Sequence, residues 1–180
     1  MIRRREILIC TNGGFPYLLC HGLTFLCAGL LSFALPAVSA VWAYVAQPVV
    51  AMLLLKMLAP TLGVTPIAQS NELRHLLNAL MTLPLLLLPL YLVVALQHPH
   101  LVPVISASVF AVHLIGFAWL WQHQLYAGVG SALAIVIAAL FFLTDRGAFH
   151  FAGLTAGVVL LILAGLAYRH AAALSNRAAD

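Results

Sequence analysis

Six mainly apolar stretches, each close to 20 residues long, leave this chain few folds to choose from. A helix crosses a hydrocarbon layer of about 30 Å with about 20 residues, at 1.5 Å per residue. The stretches cover residues 15–35, 38–58, 76–96, 101–121, 125–143 and 149–168. Pro36 and the segments "APTLGVTPIAQSNELR", "QHPH", "WQHQ" and "TDRG" separate them. They are too long for strands and lack the alternation of a half-buried sheet. A soluble bundle is excluded because there is too little polar surface to cover one: 7% of residues are charged, against about 25% in soluble domains. The sequence therefore predicts an all-α membrane protein, a six-transmembrane-helix bundle in which residues 1–180 form a single integral membrane domain.

Charge sets the expected orientation. Arg3, Arg4, Arg5, Lys56, Arg74, Arg169 and Arg177 fall on one side of such a bundle and Arg146 on the other. The positive-inside rule then places both termini in the cytoplasm. The net charge of +4 sits at the ends of apolar segments, so the lipid bilayer, not nucleic acid, is the expected partner. A bacterial cytoplasmic (inner) membrane and a multi-pass topology are the expected setting. "RRR", an apolar run and "AVSA" also resemble a secretory signal cleaved after Ala40. Its apolar run of about 20 residues exceeds the roughly 7–15 of a signal core, which favours a retained helix. Cys20 and Cys27, seven apart, share a helix face and suggest no disulfide framework. The two halves of the chain show no visible duplication of the kind many transporters carry.

A polar group in hydrocarbon needs a partner, so each one asks for an explanation. Lys56 lies near the inner end of the second stretch, where its stem can reach the headgroups. In Gln47-Pro48 the proline removes a backbone donor, and Gln47 is placed to satisfy a freed carbonyl or another helix. Asn78 and Thr82 share a face of the third stretch, which Pro84 and Pro89 interrupt. Gly153, Gly157 and Gly165 form a small-residue stripe for close helix packing, within the bundle or between copies in a homo-oligomer. Trp42, Tyr44, Trp119, Trp121 and Tyr126 are expected as anchors at the two membrane interfaces.

His113 and His21 are the histidines well inside apolar segments, at about 12 Å and 9 Å from the same side. Three readings of His113 stand side by side. It is a neutral ring hydrogen-bonded to its neighbours, a titrating group in a proton-linked cavity, or one of two axial haem ligands with His21. No carboxylate lies within the apolar cores, and no GxSxG, HExxH or phosphate-binding loop is present. "HPH" at 98–100 lacks the further ligands a metal would need. Glu72, Arg74 and His75 read as a solvated ion-pair cluster at a helix start. The leading functional expectation is a non-enzymatic passage for a small molecule or proton, lined by Gln47, Asn78 and His113, with His21 as a further candidate. The alternatives are an assembly subunit in which these groups only join helices, and a haem-bearing or enzymatic membrane protein using His21 and His113.

The stretch "AVHLIGFAWLWQHQLY" (111–126) resembles the distinctive segment of a family of small bacterial membrane proteins of unknown function. Ala111, His113, Leu114, Phe117, Trp119, Leu120, Trp121 and Tyr126 carry the likeness. Gly116 departs from it, since the family often has proline there. The resemblance implies a multi-helix membrane fold and draws interest to His113, but it implies no substrate.

Overall fold

The computed structural model describes residues 2–121, 123–144 and 147–176. Among them the chain forms eight α-helices and no strand: α1 (Ile2–Cys10), α2 (Phe15–Ala34), α3 (Ala37–Leu58), α4 (Leu73–Leu86), α5 (Leu88–Gln97), α6 (Val102–Leu120), α7 (Gln124–Leu143) and α8 (Gly147–Asn176). Six segments are long and apolar enough to span a membrane, with α4 and α5 together making the third. That third span is broken where its prolines predict. Pro84 and Pro89 cannot donate to the helix ladder, and the backbone leaves helical geometry at Leu87. The last helix runs well past the apolar stretch that seeds it, to Asn176.

Central α2 packs on α3 and α8, and α6 packs on α7 and α8. The α2–α8 crossing is close because both helices present glycine. A Cβ on Gly157 would lie 2.6 Å from the Leu26 nitrogen, and one on Gly29 would lie 2.7 Å from the Leu154 nitrogen. Gly153 faces the Tyr44 ring of α3, so two glycines of the expected stripe are spent inside the bundle. A Cβ on the third, Gly165, would meet no other part of the bundle within 4 Å. Phe15 and Tyr168 meet with ring centroids 5.1 Å apart, so the two ends of the described chain share one end of the bundle.

The interface expectation for the aromatic residues needs correction. Trp42 and Trp119 are exposed, but Tyr44, Trp121 and Tyr126 are buried. Their polar tips explain part of this. Tyr44 donates to the Phe149 carbonyl and Tyr126 to the Gly13 carbonyl, so their hydroxyls are satisfied by protein instead of water. Trp121 lies over Gly14, whose left-handed backbone (φ +77°) leaves room that a side chain would fill.

Helix α1 is a feature that apolar length does not reveal. It buries Ile7 and Leu8 and ties down the loop before α4. The buried Asn71 amide donates to the Arg3 carbonyl (2.9 Å) and to Glu6 (2.9 Å), while its oxygen accepts from the Leu73 N–H. Glu6 also accepts from the Ala68 N–H at 2.8 Å. Glu72 pairs with Arg3, across the fold, and not with its sequence neighbour Arg74. Asn71→Ala leaves several of these groups without partners, and we expect a loss of about 1–2 kcal/mol. Thermal unfolding of the detergent-solubilised protein measures it; an unchanged midpoint would show that Glu6 alone holds the loop.

Candidate functional site

Two neighbouring regions contain the polar groups that the sequence singles out. The first is a buried cluster between α2, α3 and α6. Gln47, turned inward by α3, donates to Thr24 Oγ1 and to His21 Nδ1, both at 3.0 Å. The Thr24 hydroxyl donates to the Cys20 carbonyl at 2.9 Å, so its oxygen is left to accept. That fixes the Gln47 amide with its nitrogen toward α2, and its second proton goes to His21 Nδ1. A neutral His21 therefore carries its proton on Nε2.

His113 is bound differently. Its Nε2 hydrogen-bonds the Leu80 carbonyl of α4. Leu80 is the residue whose carbonyl Pro84, four positions on, cannot serve, because proline has no N–H. A carbonyl only accepts, so His113 also carries its proton on Nε2. Of the two partners expected for Gln47, a proline-freed carbonyl or another helix, it takes the second, and a proline-freed carbonyl is instead the partner of His113, at Pro84. Imidazole ¹⁵N spectra should show the Nε2–H tautomer for both rings; an Nδ1–H signal for His21 would overturn the Gln47 orientation.

The two histidines belong to one aromatic circuit. Tyr17 meets His21 at 4.4 Å between centroids, His21 meets Phe110 at 4.6 Å, and Phe110 meets His113 at 5.8 Å. Phe117 closes the circuit, 5.2 Å from both His113 and Tyr17. With His113 Nε2 committed to Leu80 and both rings packed on Phe110, these residues do not frame a slot for a haem. Among the described residues, no three histidine, cysteine or acidic side chains converge as a metal site.

The second region is a cavity of about 580 Å³ at the end of the bundle that carries both ends of the described chain. Val49, Met52 and Leu53 of α3 face Leu77, Met81 and Leu85 of α4 across it. Tyr17 and Trp121 form its inner boundary, linking it to the aromatic circuit. Lys56, Arg74 and Asn78 are among its few polar linings.

The four sequence candidates thus divide. Gln47 and His21 bond directly to each other, His113 joins them only through the intervening aromatic rings, and Asn78 stands apart on the cavity wall. Thr24, Lys56 and Arg74 belong to these regions although the sequence did not single them out as site residues. Thr24 has a local signal, since it sits three residues after His21 on the same helix face. Lys56 and Arg74 have none, because only the packing of α3 beside α4 sets both on one cavity.

No curated protein and no solved structure matches this chain. Residues 3–170 match the model of the Family of unknown function (DUF7010). An all-helical chain with six membrane-spanning segments, matched over nearly its whole length, is therefore a multi-pass membrane protein belonging to that family of unknown function.

Proposed function

We propose that this protein, with both termini in the cytoplasm, binds a small apolar molecule drawn from the surrounding bilayer into the cavity between α3 and α4. The observation that carries this reading is the cavity itself. Its volume of about 580 Å³ lies in the roughly 300–1,000 Å³ range of small-molecule sites. Its walls are mainly aliphatic, and α4 belongs to the span least covered by the rest of the bundle, so a ligand can enter sideways from lipid. Gln47, His21 and His113 act here as fasteners between helices, while Asn78 borders the ligand.

Trp121 offers a direct test. With Trp42→Phe and Trp119→Phe it is the sole tryptophan of the three in the chain. It is buried from lipid, so 1-bromododecane should quench it only from within the cavity. We expect saturable quenching that is lost when Met52→Phe and Met81→Phe fill the space. Quenching that never saturates, or that survives the filling, would rule the cavity out as a site.

A further inference from the structure

The cavity's charges point to the class of ligand, an inference that rests on the cavity being a binding site. Lys56 and Arg74 are the charged residues among its linings, and both are cationic. Neither has an acidic partner among the described residues. Glu72 is taken by Arg3, and Glu6 by Asn71 and the Ala68 N–H. The two remaining acidic residues, Asp145 and Asp180, lie outside the described residues. In a chain that is 7% charged, two cations with no acidic partner among the described residues, both on one apolar cavity, make an uneven arrangement.

Their position gives the ligand a shape. Lys56 lies in the last turn of α3 and Arg74 in the first turn of α4, so the two stand at the same mouth on neighbouring helices. Below Lys56 the apolar lining continues to Val49, seven residues or about 10 Å deeper. Below Arg74 it continues to Leu85, eleven residues or about 16 Å deeper. Asn78, one turn below Arg74, adds an amide just under the mouth. A cationic rim above an aliphatic cavity of about 580 Å³ is complementary to a carboxylate or similar acid carried on a single hydrocarbon chain. We propose that the cavity selects a free single-chain acidic amphiphile of the fatty-acid type, its head held between Lys56 and Arg74 and its tail along α3 and α4.

Lysines and arginines near a membrane surface also serve as anchors to bulk headgroups. The two roles separate by selectivity, since an anchor does not distinguish ligands inside the cavity. Laurate, dodecanol and dodecyltrimethylammonium should be titrated against 1-bromododecane on the sole-Trp121 protein. We expect laurate to displace the probe at concentrations at least tenfold lower than dodecanol, with the cationic compound weakest, because ionised hydrogen-bond pairs are the strong ones. The laurate preference should vanish in Lys56→Gln/Arg74→Gln and persist in Lys56→Arg. Both side chains are solvent-accessible or half-buried, so the folded state should survive these changes, as an unaltered melting midpoint will confirm. Equal displacement by laurate and dodecanol would overturn the acidic head while leaving the binding cavity in place. Absence of saturable quenching would remove both. A two-chain phospholipid that stays bound in native mass spectra and resists laurate would overturn the single-chain assignment.

Discussion

Gly157→Leu should cost about 3 kcal/mol or more and leave little folded protein in mild detergent. Overfilling a packed interior typically costs about 1–3 kcal/mol when neighbouring side chains can shift. Here the first added atom would already lie 2.6 Å from a backbone nitrogen and 2.8 Å from the Cα of Leu26, and backbone does not step aside cheaply. The helices would have to separate along the α2–α8 seam, which runs through the centre of the bundle. Gly165→Leu is the control. It lies on the same helix with nothing within 4 Å of the new Cβ, and its effect should stay within about 0.5 kcal/mol. The measurement is the fraction of monodisperse protein remaining after a temperature series. Comparable losses in both variants would show that leucine harms α8 generally and that the seam is not the cause.

His113→Leu should cost about 1–3 kcal/mol, and much of that cost should disappear in a Pro84→Ala background. The single change leaves the half-buried Leu80 carbonyl without a donor, which is the expensive outcome for a hydrogen-bonding group in an apolar setting. Alanine at position 84 restores the N–H that the helix ladder offers to that same carbonyl, so the imidazole becomes redundant. A double-mutant cycle on thermal stability reads the coupling, expected at about 1 kcal/mol. Strict additivity would show that His113 contributes only its packing against Phe110 and Phe117. Gly116, one turn from His113, brings the Leu80 side chain within 3.1 Å of its ideal Cβ position, so the seam between α4 and α6 is built around one residue of α4. In membrane interiors single interhelical hydrogen bonds average about 0.6 kcal/mol. A larger value is expected here because proline denies Leu80 its usual alternative.

Gln47, His21 and His113 were conspicuous in the sequence because polar side chains in apolar runs demand partners. Which partners they took was not legible. Gln47 sits beside a proline, yet it reaches across to Thr24 and His21. His113 lies far from any proline in sequence and caps the carbonyl freed by Pro84 on another helix. Trp121 and Tyr126 show the same limit from the other direction. Their place at a helix end matches an interfacial belt, but Trp121 packs on Gly14 and Tyr126 bonds the Gly13 carbonyl, just before α2, and both are turned inward. Lys56 is the sharpest case. As a residue it is an ordinary basic end to a span, and it acquires a second cation for company only because α4 folds back with Arg74 at the same level.

Six helical spans, their approximate ends and the break in the third are legible in the residues alone. These are local consequences of one fact: in hydrocarbon each backbone N–H and C=O must be satisfied within its own segment, so length, hydropathy and proline suffice. Which helices touch, which glycines are spent in the bundle, and that Lys56 and Arg74 share a cavity with Tyr17 and Trp121 emerge only from the packing of the helices. The reason is that lipid is as apolar as the helices, so association in the membrane is not set by hydrophobicity. It depends on close backbone approach and on a few polar contacts between segments distant in the chain, and these exist only once the helices are side by side.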